Sequence, residues 1–272
     1  MKIAIIGGYG QMGAWFAEFF KSRGDTVTIS GRDYTKCLKA ARKIGVRAAK
    51  TNADAVIGAD LIVISVLIGN FKKVVRELAP SIREGQKVID LTSLKVLPVR
   101  IMHRYLGGAT VLGTHPMFGP SAKAKGQNFV LTPTNPAERR FAGTLGKMLR
   151  GNGFKVRIMS PAKHDRMIGA VLSLTHFVGL VTADTWKELR IERYMDTSST
   201  SFRFLLQFAK SVADSNSELY AYLQMDVPRA AEAESVFVRR SKIWAGMVRR
   251  RQRRGFRRRM EELSAYLNAL EA

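Results

Sequence analysis

A short apolar strand that runs directly into closely spaced glycines and then a helix constrains this chain more than any other feature. Ile3-Ala4-Ile5-Ile6 is followed by Gly7 and by Gly8-x-Gly10-x-x-Gly13, and residues 11–22 then carry Met12, Phe16, Phe19 and Phe20 at helical spacing. In such a loop one glycine allows a tight turn, one lets a pyrophosphate approach the backbone, and one lets helix and strand pack closely. The helix N-terminus adds unpaired amides that attract an anion. A glycine triplet alone is a weak signal, but here it has the preceding strand and following helix that dinucleotide binding requires. Gly8, Tyr9, Gly10, Gln11, Met12 and Gly13 are therefore the expected phosphate-binding residues.

Strand and helix signals alternate through the first 160 residues. Strands are predicted at 3–6, 26–30, 61–66, 87–91, 110–113, 129–132 and 155–158, with helices at 11–22, 34–43, 71–78 and 136–149. This alternation implies an α/β fold, a mainly parallel sheet covered by helices on both faces. After Ser160-Pro161, a cap followed by proline at the first helical position, the strand signals fade. Helices are predicted at 164–189, 198–213, 217–224 and 229–267. The expected organisation is a Rossmann-like dinucleotide-binding domain over residues 1–160 and an all-helical domain over residues 161–272. Apolar faces such as Phe202, Leu205, Leu206 and Phe208 exceed what a small isolated bundle hides easily, so homodimerisation through the helices is expected.

The second strand ends Thr28-Ile29-Ser30-Gly31-Arg32-Asp33. An acid at the strand tip would bind the ribose 2′-hydroxyl of NAD. Ser30 and Gly31 instead leave room for a 2′-phosphate, and Arg32 can pair with it in a forked geometry. NADP is the favoured cofactor, with NAD the alternative if Arg32 is merely solvated and Asp33 folds back to the ribose.

Composition narrows the partners. The 272 residues are 46% hydrophobic and carry a formal charge of +23, which favours anionic ligands without choosing among them. No uninterrupted run of about 18 apolar residues appears, and the chain starts in a strand rather than a leader, so neither a membrane span nor export is expected. Cys37 is the single cysteine and is expected to be a partly exposed structural thiol; a reducing cytoplasm fits best.

Four further segments carry chemistry: Asp90-Leu91-Thr92-Ser93-Leu94-Lys95, Gly113-Thr114-His115-Pro116-Met117-Phe118-Gly119-Pro120, His164-Asp165 with His176-Phe177, and Ser198-Ser199-Thr200-Ser201-Phe202-Arg203. With the glycine loop they resemble the prephenate dehydrogenase family of tyrosine biosynthesis, in its archaeal type without an ACT domain. The resemblance runs from Lys2 to about Gln224, and the histidine octapeptide is its most specific part. It implies oxidative decarboxylation of a cyclohexadienyl ring. Hydride leaves the carbon bearing the 4-hydroxyl for the nicotinamide, and the ring carboxylate leaves as carbon dioxide.

The residue roles follow from that resemblance. His115 matches the catalytic histidine, a base for the hydroxyl proton, whose reference pKa of about 6.5 suits the task. Ser93, past the end of an apolar strand, matches a catalytic serine that bonds to the substrate hydroxyl or to His115; a turn or cap role is the plainer alternative. Arg203 matches the arginine that holds a substrate carboxylate, the alternative being a partly buried arginine paired with an acid such as Asp184. His176 and Ser199 join it as expected substrate-binding residues. Ser65 is expected at the nicotinamide floor, although Ser65-Val66-Leu67 lacks the proline the family often has there. His164, twelve residues before His176 and roughly on its face, has capping, packing or catalytic roles open to it. His103 is expected to be solvated. No metal site is expected, because two histidines at that spacing lack the close i, i+4 arrangement and a third ligand.

Prephenate is the expected substrate, and nothing in the sequence separates it from arogenate. Neither an ACT domain nor a fused chorismate mutase is seen, so tyrosine feedback through such a domain is not implied. Two other classes compete. One is a reductase resembling the deazaflavin-dependent NADP oxidoreductases, which share the glycine start. The other is a non-catalytic nucleic-acid-binding protein, suggested by the arginine run from Arg249 to Arg259. That run reads first as a solvated helix face countered by Glu261 and Glu262, with nucleic-acid binding as an accessory property.

Overall fold

Each central strand of the sheet divides its side chains between two cores. Ile3, Ile5, Leu61, Val63 and Ile89 face one, and Ala4, Ile6, Ile62, Ile64 and Val88 face the other. This is the period-2 alternation of a strand buried on both faces, which requires helices on each side. A computed structural model of the chain describes residues 1–271, in two compact units, Met1–Ile168 and the residues from Gly169 on.

The first unit holds an eight-stranded sheet of order β3-β2-β1-β4-β5-β6-β7-β8. The strands are β1 (Lys2–Ile6), β2 (Thr26–Ser30), β3 (Arg47–Ala48), β4 (Leu61–Ile64), β5 (Lys87–Asp90), β6 (Thr110–Pro116), β7 (Asn128–Thr132) and β8 (Lys155–Ile158). All neighbours are parallel except β6 and β7, which are antiparallel with His115 opposite Val130. The helices α1 (Gln11–Ser22), α2 (Tyr34–Ile44) and α6 (Pro136–Gly151) bury Phe16, Phe20, Ala41, Phe141 and Leu145 in the first core. The other core takes Val56 of α3 (Asn52–Val56), Phe71, Val75 and Leu78 of α4 (Ile68–Leu78), and Met102 of α5 (Val96–Tyr105). A fully buried phenylalanine or leucine contributes roughly 1.5–3 kcal/mol, so these faces fix the helices to the sheet.

Local chemistry sets the helix ends. Asp33 caps α2 by accepting from the Lys36 amide at 3.0 Å, and Gly45 closes it with φ +77°. Asn135 caps α6 while the Glu138 carboxylate reaches back to the Asn135 side chain and the Thr134 amide. The last helix of this unit, α7 (Pro161–Ile168), lies beyond the boundary expected after residue 160; the second unit begins eight residues later.

The second unit is helical throughout: α8 (Leu174–Glu188), α9 (Thr200–Ala213), α10 (Ser217–Met225), α11 (Ala230–Arg249) and α12 (Arg253–Glu271). Two long predicted helices are interrupted. A π turn at Gly169–Ser173 divides 164–189, and the 229–267 helix breaks where Arg251 takes φ +52°. In the arginine run, Arg258 and Glu262 approach to 3.7 Å, an exposed pair that adds little stability. The helical stretch Pro161–Glu188 is long and apolar enough to cross a membrane, with mean hydropathy 1.5 and only 22% of that window buried. It contains no uninterrupted apolar run of that length, because small and hydroxyl residues break the run without lowering hydropathy much.

One side chain differs from expectation and another gains a partner. Cys37 is fully buried rather than partly exposed, its Sγ 3.3 Å from the Ile29 carbonyl, and burial pushes its thiol pKa up. His103 is exposed, as expected, and is also paired, with Nε2 2.5 Å from Glu138, whose carboxylate is buried.

Candidate active site

The glycine loop is a cradle that side chains would fill. Gly7, outside the recognised triplet, takes φ +81°, and a Cβ there would stand 2.2 Å from the Ser65 carbonyl oxygen. A Cβ on Gly13 would lie 2.3 Å from the Gly7 carbonyl oxygen. The turn therefore begins one residue earlier than the triplet alone suggests. No side chain caps the N-terminus of α1. Its first amides, on Gln11, Met12 and Gly13, consequently point past the end of β1 without intrahelical partners, as anion binding needs. Loop, strand tip and Ser65 fit a dinucleotide. Ser65 is tied to β1 through its amide and the Ile6 carbonyl at 2.8 Å.

At the adenine end, Ser30 is buried and its hydroxyl donates to Asn52 at 2.8 Å. Asp33 is occupied as the cap of α2, and its carboxyl is held below the usual range by the Lys36 amide. Arg32 is exposed at the strand tip.

A buried charge network at the end of β5 fixes the strand that carries the histidine. Lys95 is fully buried; its Nζ bonds to Asp90 and donates to the Thr114 carbonyl at 2.5 Å. Asp90 in turn accepts from the Thr114 amide at 3.1 Å and from the Thr92 hydroxyl at 2.5 Å. Both backbone groups of Thr114 are thus held by one ion pair, immediately before His115. The sequence motif Asp-x-x-Ser-x-Lys drew attention to Ser93, yet Asp90 and Lys95 make these contacts. An acid ending the strand Lys87–Asp90 and a lysine five residues on are the signal in the sequence. Ser93 is half-buried, and among the described residues it makes no side-chain hydrogen bond, to His115 or otherwise.

His115 lies inside β6 rather than in a loop, because antiparallel pairing with β7 carries that strand on to Pro116. It is 5% exposed, and its Nδ1 is 3.0 Å from Nε2 of His164. His164, fully buried on α7, places its own Nδ1 2.7 Å from Asp165. Asp165 accepts the backbone amides of Lys95 at 2.7 Å and Val96 at 2.9 Å, at the start of α5. Burial first, then the neighbouring His164 and Lys95, hold the His115 pKa well below its ordinary value, so the ring is neutral. Burial lowers His164 also, against the opposing pull of Asp165. Downstream, Phe118 joins an aromatic cluster with Trp15 of α1 and Phe154, at 5.0 and 5.8 Å between ring centres, and the Trp15 indole donates to the Ala122 carbonyl. The histidine segment is thereby anchored to the dinucleotide helix, a role for Phe118 that no spacing rule announced.

The second unit holds the other expected residues. His176 stacks on Tyr220 with ring centres 4.3 Å apart; burial pushes its pKa down to about 4, and its buried Nδ1 has no partner among the described residues. The π turn between residues 164 and 176 breaks the simple helical count that put these histidines on one face. Ser199 caps α9, accepting from the Phe202 amide at 3.2 Å. Arg203 is exposed and donates from Nε to Ser198 at 2.9 Å; the pairing with Asp184 is not formed.

Residues 16–158 match the family described as prephenate dehydrogenase, nucleotide-binding domain, and residues 160–262 match prephenate dehydrogenase, dimerization domain. A probable arogenate/prephenate dehydrogenase of Methanocaldococcus jannaschii is 32% identical over 274 residues, covering 99% of this chain and 61% of that protein. The chain spans about three fifths of the length of the curated relatives it matches. An F420-dependent NADP reductase of Methanothermobacter thermautotrophicus is 40% identical, but over 74 residues, 24% of this chain and 32% of the reductase. Among solved structures, prephenate dehydrogenase from A. aeolicus in complex with hydroxyphenyl propionate and NAD+ shares the fold, with TM-score 0.75, 19% identity and coverage of 100% and 96%.

Proposed function

Because the chain belongs to the prephenate dehydrogenase family, we propose that it oxidatively decarboxylates prephenate, with NADP as hydride acceptor, in tyrosine biosynthesis. The observation that carries this reading is His115: neutral, nearly buried, clamped through Thr114, and with no partner on Nε2 among the described residues. Bound NADP supplies the oxidising chemistry by accepting a hydride. His115 takes the proton of the ring hydroxyl at Nε2 as the carbonyl forms. Asp90 and Lys95 hold β6 so that the imidazole does not have to be ordered during the reaction. Ser93 is assigned to orient the substrate hydroxyl, its side chain being uncommitted. Arg203 is assigned to the side-chain carboxylate, since its guanidinium has no acidic partner among the described residues, and His176 and Ser199 are assigned to the same substrate.

The preference for NADP is supported by Asp33, whose carboxylate is engaged in capping α2, and by the exposed Arg32 beside it. The glycine cradle, Tyr9 and Ser65 would hold the rest of the cofactor. A homodimer is proposed for the helical part, supported by its family description and by apolar side chains left exposed there, such as Phe204. A cytoplasmic location is proposed from the lone buried cysteine. Arogenate is the second reading, favoured by the joint naming of the M. jannaschii relative. The match to the reductase covers only 24% of this chain and does not favour its activity.

The test is the near-ultraviolet absorbance of reduced nicotinamide with prephenate or arogenate paired with NADP or NAD. Reduced cofactor with prephenate and NADP is the expected result; reduction in no pairing by folded protein would refute the reaction. Arg32→Ala should raise the apparent Michaelis constant for NADP about 10-fold or more and leave that for NAD nearly unchanged, since a charge-assisted bond is worth roughly 1.5–3 kcal/mol. Equal effects on both cofactors would remove Arg32 from the 2′-phosphate. Arg203→Ala should raise the constant for the substrate about 10-fold or more without changing that for the cofactor; an unchanged value would end the carboxylate assignment.

A further inference from the structure

The residues behind His115 form a chain of hydrogen bonds that, with both rings neutral, leaves one arrangement of the protons. It starts at Asp165. Its two carboxylate oxygens accept the backbone amides of Lys95 and Val96 at 2.7 and 2.9 Å, and the first oxygen also lies 2.7 Å from His164 Nδ1. A carboxylate has no proton to give, so His164 Nδ1 is the donor. A neutral imidazole has one N–H, which leaves His164 Nε2 bare. His115 Nδ1, 3.0 Å away, must then donate to it. The single proton of neutral His115 is accordingly on Nδ1, and its Nε2 is a free lone pair.

We propose that His164 and Asp165 are a positioning pair that fixes the tautomer of His115, so that Nε2 is the nitrogen presented as base. The proposal rests on the reading of His115 as the base in the reaction proposed above. Both neutral rings are consistent with their burial, and the charged groups around His164 are Asp165, Lys95 and Asp90, with His115 as the other titratable neighbour. When the hydroxyl O–H bond breaks and an N–H bond forms at Nε2, His115 carries both ring protons and a positive charge. Its Nδ1–H stays bound to the His164 lone pair, and the Asp165 negative charge behind that ring offsets the new cation. The same geometry explains why two buried histidines stand edge to face, 5.2 Å between centres, instead of repelling as cations. Without the pair the His115 side chain would be free to carry its proton on Nε2, the form that cannot accept one there.

Histidine tautomers are read directly by 15N NMR of protein labelled at histidine. With four histidines in the chain, single substitutions assign the signals. The expected wild-type spectrum has His115 and His164 both protonated on Nδ1. In His164→Leu the acceptor is gone, His115 should shift to the Nε2–H form, and kcat should fall about 100-fold, the scale of a correctly placed base, with the substrate Michaelis constant little changed. His164→Gln, whose side-chain oxygen can accept from Nδ1, should keep the Nδ1–H form of His115 and more of the turnover. A wild-type His115 protonated on Nε2, or an unchanged Nδ1–H signal in His164→Leu, overturns the proposal. The wild-type and His164→Gln spectra suffice if the leucine variant fails to fold. Because the tautomer is read without substrate, wild-type protein with the expected spectrum and no turnover would refute the proposed reaction while leaving the pair in place.

Discussion

His115→Asn should lower turnover by about 100-fold or more while leaving NADP affinity unchanged, since a positioned base contributes roughly that much. Asparagine is close in size to the first part of the imidazole, so β6 and its pairing with β7 survive, and only the proton acceptor at Nε2 is lost. The pH profile gives an independent reading. His115 must be neutral to act, and burial, His164 and the Lys95 charge hold its pKa well below 6.5. The wild-type kcat/KM should therefore stay level as pH falls through 6.5, with its acid limb at lower pH. A limb centred at or above 6.5 would mean that a more exposed group is titrating. Near-normal turnover in His115→Asn would remove His115 from the mechanism altogether.

Lys95→Met should destabilise the protein by about 3–5 kcal/mol, because it leaves the Asp90 charge buried without its partner. That is a large share of a typical stability of about 5–15 kcal/mol. Lys95 and Asp90 are both completely buried, so water cannot replace the lost contact, and the Thr114 carbonyl loses its donor as well. Urea unfolding of the variant beside wild type measures the loss. Replacing both members, Asp90→Asn with Lys95→Met, should recover part of it, because the orphaned charge is then gone. A loss below about 1 kcal/mol would show that the pair is not desolvated and that something else holds β6. Turnover of the folded fraction should also fall, since Thr114 and His115 would no longer be fixed.

The helical second half was legible as helix and poorly legible in detail. Propensity gave continuous segments at 164–189 and 229–267, whereas the chain inserts a π turn at Gly169–Ser173 and a left-handed Arg251. Neither has a local signature, since residues 169–173 suit an α turn as well as a π turn and arginine is a good helix former. Cys37 differs from expectation for a related reason. Its place on α2 follows from the sequence, whereas whether that side faces a strand of the sheet is not written locally.

Sequence alone determined the dinucleotide half and the identity of the chemical segments. Strand, glycines and helix follow one another between Lys2 and Ser22, and alternating burial is a property of successive residues. The octapeptide around His115 was equally plain. Tertiary structure decided what that histidine is. Its proton position depends on His164, 49 residues away, and through it on Asp165 and the first amides of α5. Its depressed pKa depends on burial, and its place on β6 on a buried ion pair whose members grip Thr114 from the neighbouring strand's end. Desolvation and long-range hydrogen bonds are sums over neighbours that only the folded chain brings together, so a motif can name the reacting residue while the fold sets its protonation.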